Sequence, residues 1–201
     1  MTERLWLKSY PAGMPADIDP DQYLSIPDLF EQSARRFADR PAFDNLGHLA
    51  TYAEVDRLAR DFAGYLQSLP GAAPGARVAV MSPNLLQFPV ALLGILRAGL
   101  VAVNVNPLYT PRELEHQLKD SGAIAIVVVE NFAQVVEQAI AHTQPLQVIT
   151  TQVGDLLPAP KRWLVNWVAK RVKKLVPAWN IAGSVRLRDA LAQGARAGFK
   201  P

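Results

Sequence analysis

Four short apolar runs limit what this chain can fold into. Arg77–Met81, Leu100–Val105, Ala123–Val129 and Gln147–Thr151 are dominated by valine, isoleucine and alanine. A strand with one wet face alternates polar and apolar residues, whereas a run apolar on both sides must be covered twice. Between the runs lie segments with helical spacing, Leu85–Arg97, Pro111–Ser121 and Phe132–His142. Strand–helix alternation with short connections predicts an α/β fold: a mostly parallel sheet flanked by helices.

Punctuation places the remaining elements. Residues 1–24 read as an extended arm broken by Pro11, Pro15 and Pro20. Ser25, followed by Pro27 and Asp28, is an N-cap for a helix that ends near Asp39. Ala42–Asp44 and Leu49–Tyr52 form a hairpin around Asn45-Leu46-Gly47. Thr51-Tyr52-Ala53-Glu54 and Thr110-Pro111-Arg112-Glu113 are capping boxes, Asn84 is placed to cap Leu85–Arg97, and Gly122 stops the helix before it. The α/β subdomain then covers 25–151. Residues 152–201 read as a linker carrying a basic helix over about 161–176, a turn at Asn180–Gly183, and a short last helix capped by Ser184. The chain closes on Lys200-Pro201 without a terminal element, which reads as the front of a longer protein.

Leu85–Val105 is nearly all apolar, but it contains Gln87, Pro89, Gly94, Arg97 and Gly99. A buried helix turning into a buried strand accommodates these better than a membrane span. Met1–Tyr10 carries Glu3, Arg4 and Lys8 and does not read as a signal peptide. With no cysteine, disulfides, thiolate nucleophiles and cysteine-bound metals are excluded.

The charge is unevenly placed. Residues 1–160 hold 11 Lys and Arg against 17 Asp and Glu; residues 161–201 hold 10 against one, Asp189. A local basic patch on an acidic body points to a surface partner. Lys161–Lys174 contains six of those cations, Trp163, Trp167 and no acid. Wound as one α-helix, it gathers Leu164, Val165, Val168, Val172, Leu175 and Val176 on one arc, with Asn166, Lys170, Lys173 and Lys174 opposite and both indoles on the basic side. One reading is contact with an anionic membrane surface through Trp163, Trp167, Lys170, Arg171, Lys173 and Lys174. The other packs the apolar arc on the protein beneath a solvated basic face. Nucleic acid is not an expected partner, since the rest of the chain is acidic and carries no nucleic-acid motif.

Motifs that carry chemistry are sparse. Gly94 and Gly99 have phosphate-loop spacing but lie at a helix end and are followed by Leu100-Val101. His48, His116 and His142 are far apart, and His116 reads as a solvated helix residue. Glu113 and Glu115 point to different sides of their helix. No residue is assigned a catalytic, cofactor-binding or metal-binding role.

The runs Pro83–Ala91, Gly94–Gly99 and Asn104–Leu114, with Thr51–Glu54 and Trp6–Pro11, resemble the N-terminal part of bacterial long-chain fatty acid–CoA ligases. These enzymes belong to the adenylate-forming superfamily, together with acetyl-CoA synthetase and luciferase. The resemblance spans essentially the whole chain. It implies a two-step reaction in which a fatty acid and Mg·ATP give an acyl-adenylate and pyrophosphate, after which CoA displaces AMP. Its implied cofactors are ATP, Mg2+ and CoA, its implied location the cytoplasmic face of the membrane, and its implied role the supply of acyl-CoA for β-oxidation. The family's phosphate loop, adenine motif, ribose-binding aspartate and catalytic lysine are expected after position 201, so the segment alone is expected to be inactive. The turns after the first two strands make Asn84, Asn104, Asn106 and Tyr109 candidates for the border of a substrate or CoA channel; otherwise they are turn and capping residues. A membrane-surface module and a medium-chain or aryl acid ligase are the alternatives.

Overall fold

A computed structural model describes residues 4–144 and 146–200; residues 1–3 of the arm and Pro201 lie outside the described residues. The arm holds one short 3-10 helix, Leu5–Ser9. Helix α1 (Ile26–Arg36) begins on Ser25, whose side chain accepts from the Asp28 amide. Strands β1 (Pro41–Asn45) and β2 (His48–Thr51) pair antiparallel. Leu46 and Gly47, at φ 53° and 72°, turn the hairpin, as a two-residue loop matched to strand twist requires.

The body follows as α2 (Tyr52–Gln67), β3 (Arg77–Met81), α3 (Gln87–Arg97), β4 (Val101–Asn104), α4 (Pro111–Ser121), β5 (Ala125–Val129), α5 (Ala133–Ile140) and β6 (Gln147–Thr151). The last elements are α6 (Lys161–Trp167), β7 (Val185–Arg186) and α7 (Leu187–Ala197). The sheet runs β4-β3-β5-β6-β7, with every pair parallel. Alternate strand residues feed opposite faces. Val78, Val80 and Val127 pack with Phe62, Ile95 and Leu187 from α2, α3 and α7. Ala79, Met81, Ile126 and Val128 pack with Leu114 and Val136 from α4 and α5.

Three boundaries differ from expectation. Asn84 does not cap α3; the helix starts two residues later, without a side-chain cap. Backbone bonds from Leu85 N to Pro83 O (2.8 Å) and from Phe88 N to Leu85 O (2.9 Å) make the turn instead. The Thr51 box is half formed: Thr51 accepts from the Glu54 amide, while the Glu54 carboxylate lies 3.5 Å from His48. The Thr110–Glu113 box is complete. Ser184 caps nothing, because Val185 and Arg186 pair with Ile149 and Thr150 as a fifth strand. Two residues are too few to show a period, and residues beyond 151 therefore share the sheet of the subdomain before it.

The basic segment also departs from a single helix. It is α-helical to Trp167 and π-helical over Val168–Val172, where Lys173 N donates to Val168 O at 2.8 Å. Val165, Val168 and Val172 crowd successive turns, and β-branching restricts their rotamers there. Among the described residues no helix is long and apolar enough to cross a membrane.

Helix α2 is clasped by two neighbours at glycine contacts. A Cβ on Gly194 of α7 would lie 1.8 Å from Asp61 O and 2.6 Å from Tyr65 N. A Cβ on Gly94 of α3 would lie 2.8 Å from the Phe62 ring and 3.0 Å from Ala59 O. The side chain of Arg97, only 3% exposed, joins three helices through Asp56 (2.6 Å) and Glu31 (3.0 Å). Gly194→Ala is expected to cost about 3 kcal/mol or more, since backbone rather than a movable side chain blocks the new methyl. Arg97→Met should cost about 3 kcal/mol, the low end for breaking a buried pair, because both acids keep some solvent. Urea unfolding checks both; a loss below about 1 kcal/mol would contradict the packing described.

Candidate functional site

Three recesses surround the sheet and its helices. The first is an apolar groove of about 480 Å³ between Phe30, Phe43 and the first turns of α3, where Leu85, Phe88, Pro89 and Leu92 form the wall. Asp44, Asn45 and the exposed Asn84 give it a polar rim.

The second, of about 500 Å³, lies along α4 between Tyr109, Arg112, Glu113, His116, Gln117 and Asp120. The Asn104 carbonyl accepts from Gln117 Nε2 at 2.9 Å, and Asn106 Oδ1 accepts from the Leu108 amide at 3.0 Å. Glu113 receives the Thr110 amide (2.8 Å) and hydroxyl (2.7 Å), which hold its carboxyl below the usual range, the amide most strongly. The Lys119 hydrogen bond lowers Glu115 in the same way. Asn84 and Tyr109 thus border different recesses, while Asn104 and Asn106 are exposed and shape the turn between β4 and α4. The four do not line one channel.

The third recess is polar, of about 400 Å³, and was not foreseen from sequence. Its floor is Glu130, Thr150 and Gln152 at the carboxyl ends of β5 and β6, the position where parallel sheets offer ligand sites. Arg162, Trp163 and Asn166 of α6 close one side; Arg186, Arg188 and Asp189 close the other. Residues so separated in sequence meet only because the two-residue strand β7 joins the sheet.

Segment 161–176 is seated by polar contacts. Asn166 accepts from Gly154 N at 2.7 Å and donates to Asp155 at 3.2 Å, and Lys170 Nζ lies 3.8 Å from Glu130. Asn131 donates to Leu175 O at 3.0 Å, and Lys161 to Leu46 O. The basic arc therefore turns Asn166 toward the protein, while Lys170 stays exposed and reaches Glu130 from the edge. Leu164 is 60% exposed, beside Trp163 at 62% and Trp167 at 58%, and Val172 and Leu175 are also mostly exposed. Glu130 is buried at the end of β5 and Asp155 half-buried beyond β6; leaving a buried carboxylate without a partner costs more than exposing a few apolar side chains. Lys170, Arg171, Lys173 and Lys174 are exposed around this surface.

The described residues do not fit Mg·ATP. No group of three or more His, Asp and Glu among them could hold a metal ion. The turn after β3 is Ser82-Pro83-Asn84, without glycine, and the Glu113 carboxylate already occupies the first turn of α4.

A model of AMP-binding enzymes matches residues 30–191. The chain belongs to the AMP-binding enzyme family. A long-chain-fatty-acid–CoA ligase of Yersinia pestis is 53% identical over 194 residues, which cover 96% of this chain and 34% of that protein. One from Haemophilus influenzae is 51% identical over 192 residues, again 96% of this chain and 34% of the relative. The chain thus spans about a third of the length of the curated relatives it matches. A solved long-chain-fatty-acid-CoA ligase from Archaeoglobus fulgidus aligns with a TM-score of 0.64 at 20% identity, covering 92% of this chain and 32% of that one. At that identity the likeness shows the fold.

The Glu113 cap has a pH signature. Its carboxyl titrates lower in the folded chain than in the unfolded one, so its contribution is present above the ordinary carboxylate range and is lost as pH falls through the folded value. Glu113→Gln should lower the melting temperature at pH 7 and have little effect near pH ~2.5. An equal effect at both pH values would mean that the charge plays no part in the cap.

Proposed function

We propose that this chain is the N-terminal part of a long-chain fatty acid–CoA ligase, an enzyme that activates a fatty acid with Mg·ATP and passes the acyl group to CoA. One observation carries the reading: identity of 51–53% to such ligases runs through 96% of the chain. By contrast, a triostin synthetase relative matches at 42% over 105 residues. Fatty acid, ATP and CoA are then the partners of the complete enzyme. This segment supplies scaffold: the parallel sheet, the α2 clasp and the recesses at its margin. Pyrophosphate release and oleoyl-CoA formation, measured with Mg·ATP, oleate and CoA, test the proposal. Activity is expected from the chain extended to the length of its relatives and none from the 201 residues alone. Turnover by the 201 residues, or none on oleate by the extended enzyme, would contradict it.

We also propose that segment 161–176 rests on the cytoplasmic face of the cell membrane, which makes the enzyme peripheral there. The exposed Trp163, Leu164 and Trp167 beside Lys170, Arg171, Lys173 and Lys174 support this, since indoles and cations together suit a headgroup layer. Leu164→Ala with Trp167→Ala should weaken binding to phosphatidylglycerol vesicles by about tenfold or more, as expected for losing two buried apolar side chains. Unchanged vesicle binding would refute the contact.

A further inference from the structure

The third recess is more than a gap beneath α6. Three guanidiniums line it: Arg162 in the first turn of α6, Arg186 at the end of β7, and Arg188 in the first turn of α7. Among the described residues, none of the three has a carboxylate within ion-pair distance or a side-chain hydrogen bond. Arg162 has only the Trp163 ring, 5.4 Å from the guanidinium carbon to the centroid.

The acids that share the lining are mostly committed. Asp155 accepts from Thr151 Oγ1 (3.1 Å), the Gln152 amide (2.8 Å) and Asn166 (3.2 Å). Glu130, buried, accepts from Gln152 at 3.0 Å and faces Lys170. Asp189 has no partner among the described residues; with Lys170 set against Glu130, the three guanidiniums exceed the remaining carboxylates, Asp155 and Asp189, by one. Guanidinium forks match the spacing and charge of phosphate oxygens, so one phosphoryl group can pair with several of them at once.

We propose that this recess binds a phosphoryl group through Arg162, Arg186 and Arg188, with the Trp163 indole as its side wall. The group has two chemical sources. One is the headgroup of an anionic phospholipid, brought alongside by the exposed Leu164 and Trp167; that arm rests on the membrane reading above. The other is a soluble phosphate ester or pyrophosphate, and this arm stands without the membrane. The recess is separate from the grooves bordered by Asn84 and by Tyr109.

Titration calorimetry of the 201-residue chain with inorganic pyrophosphate, and co-sedimentation with phosphatidylcholine vesicles containing phosphatidylglycerol, test the site. Arg186→Ala/Arg188→Ala should weaken whichever probe binds by about tenfold or more. Arg57→Ala/Arg60→Ala removes the same charge on α2, outside the recess and outside segment 161–176, and should change binding less than about twofold. All four side chains are exposed, so folding is retained and is confirmed by unchanged melting. Arginine-dependent pyrophosphate binding supports the proposal and assigns a soluble ligand; arginine-dependent vesicle binding supports it and assigns a headgroup. Equal losses from the two arginine pairs, or no binding of either probe, would overturn it. Leu164→Ala/Trp167→Ala separates the two readings, because it should remove vesicle binding and leave pyrophosphate affinity intact.

Discussion

Helix α2 lies between α3 and α7 at distances that only glycine allows. Gly94 and Gly194 bring neighbouring backbone within reach of Ala59, Asp61 and Tyr65. Through this clasp the first βα units are joined to the last helix of the chain, and Arg97 ties α1 to the same assembly through Glu31 and Asp56. The placement of α7 in turn fixes β7, a strand too short to hold itself on the sheet edge. Without close α2–α7 packing, Arg186 and Arg188 would have no defined position opposite α6. The sheet's apolar strands make the fold possible, but the helix crossings decide where its carboxyl margin is closed.

Much of this was legible from local chemistry. Doubly apolar strands, the Thr110–Glu113 box and the Gly122 stop gave β3 to β6 and α4 nearly to the residue, because each signal is local and strong. What escaped reading depends on distant contacts. Gly94 looked like half of a failed phosphate loop, whereas its role is to admit Phe62. Strand β7 has no periodicity to detect. Asn84 has cap chemistry, yet backbone bonds within residues 83–88 take its place.

The basic segment shows the same limit more sharply. A helical wheel at a fixed angle assumed one α-helix and an inward apolar arc. Widening into a π-helix after Trp167 breaks that angle, and Glu130 and Asp155 draw Asn166 inward and Lys170 to the edge of the protein. The apolar residues left outside are then those best placed for a membrane, together with the indoles already expected there. The sheet margin thus presents two chemistries side by side: an apolar, cation-rimmed surface and a recess with unpaired guanidiniums.

We propose that this chain folds as the N-terminal third of a fatty acid–CoA ligase. The most direct measurement is a replacement: this chain exchanged for the matching 194 residues of the Escherichia coli ligase to which it is 53% identical, with oleoyl-CoA formation as the readout. Activity within about tenfold of the parent is predicted, the span left by a modest loss of fit at the new contacts. A folded, soluble hybrid without activity on oleate would contradict the claim.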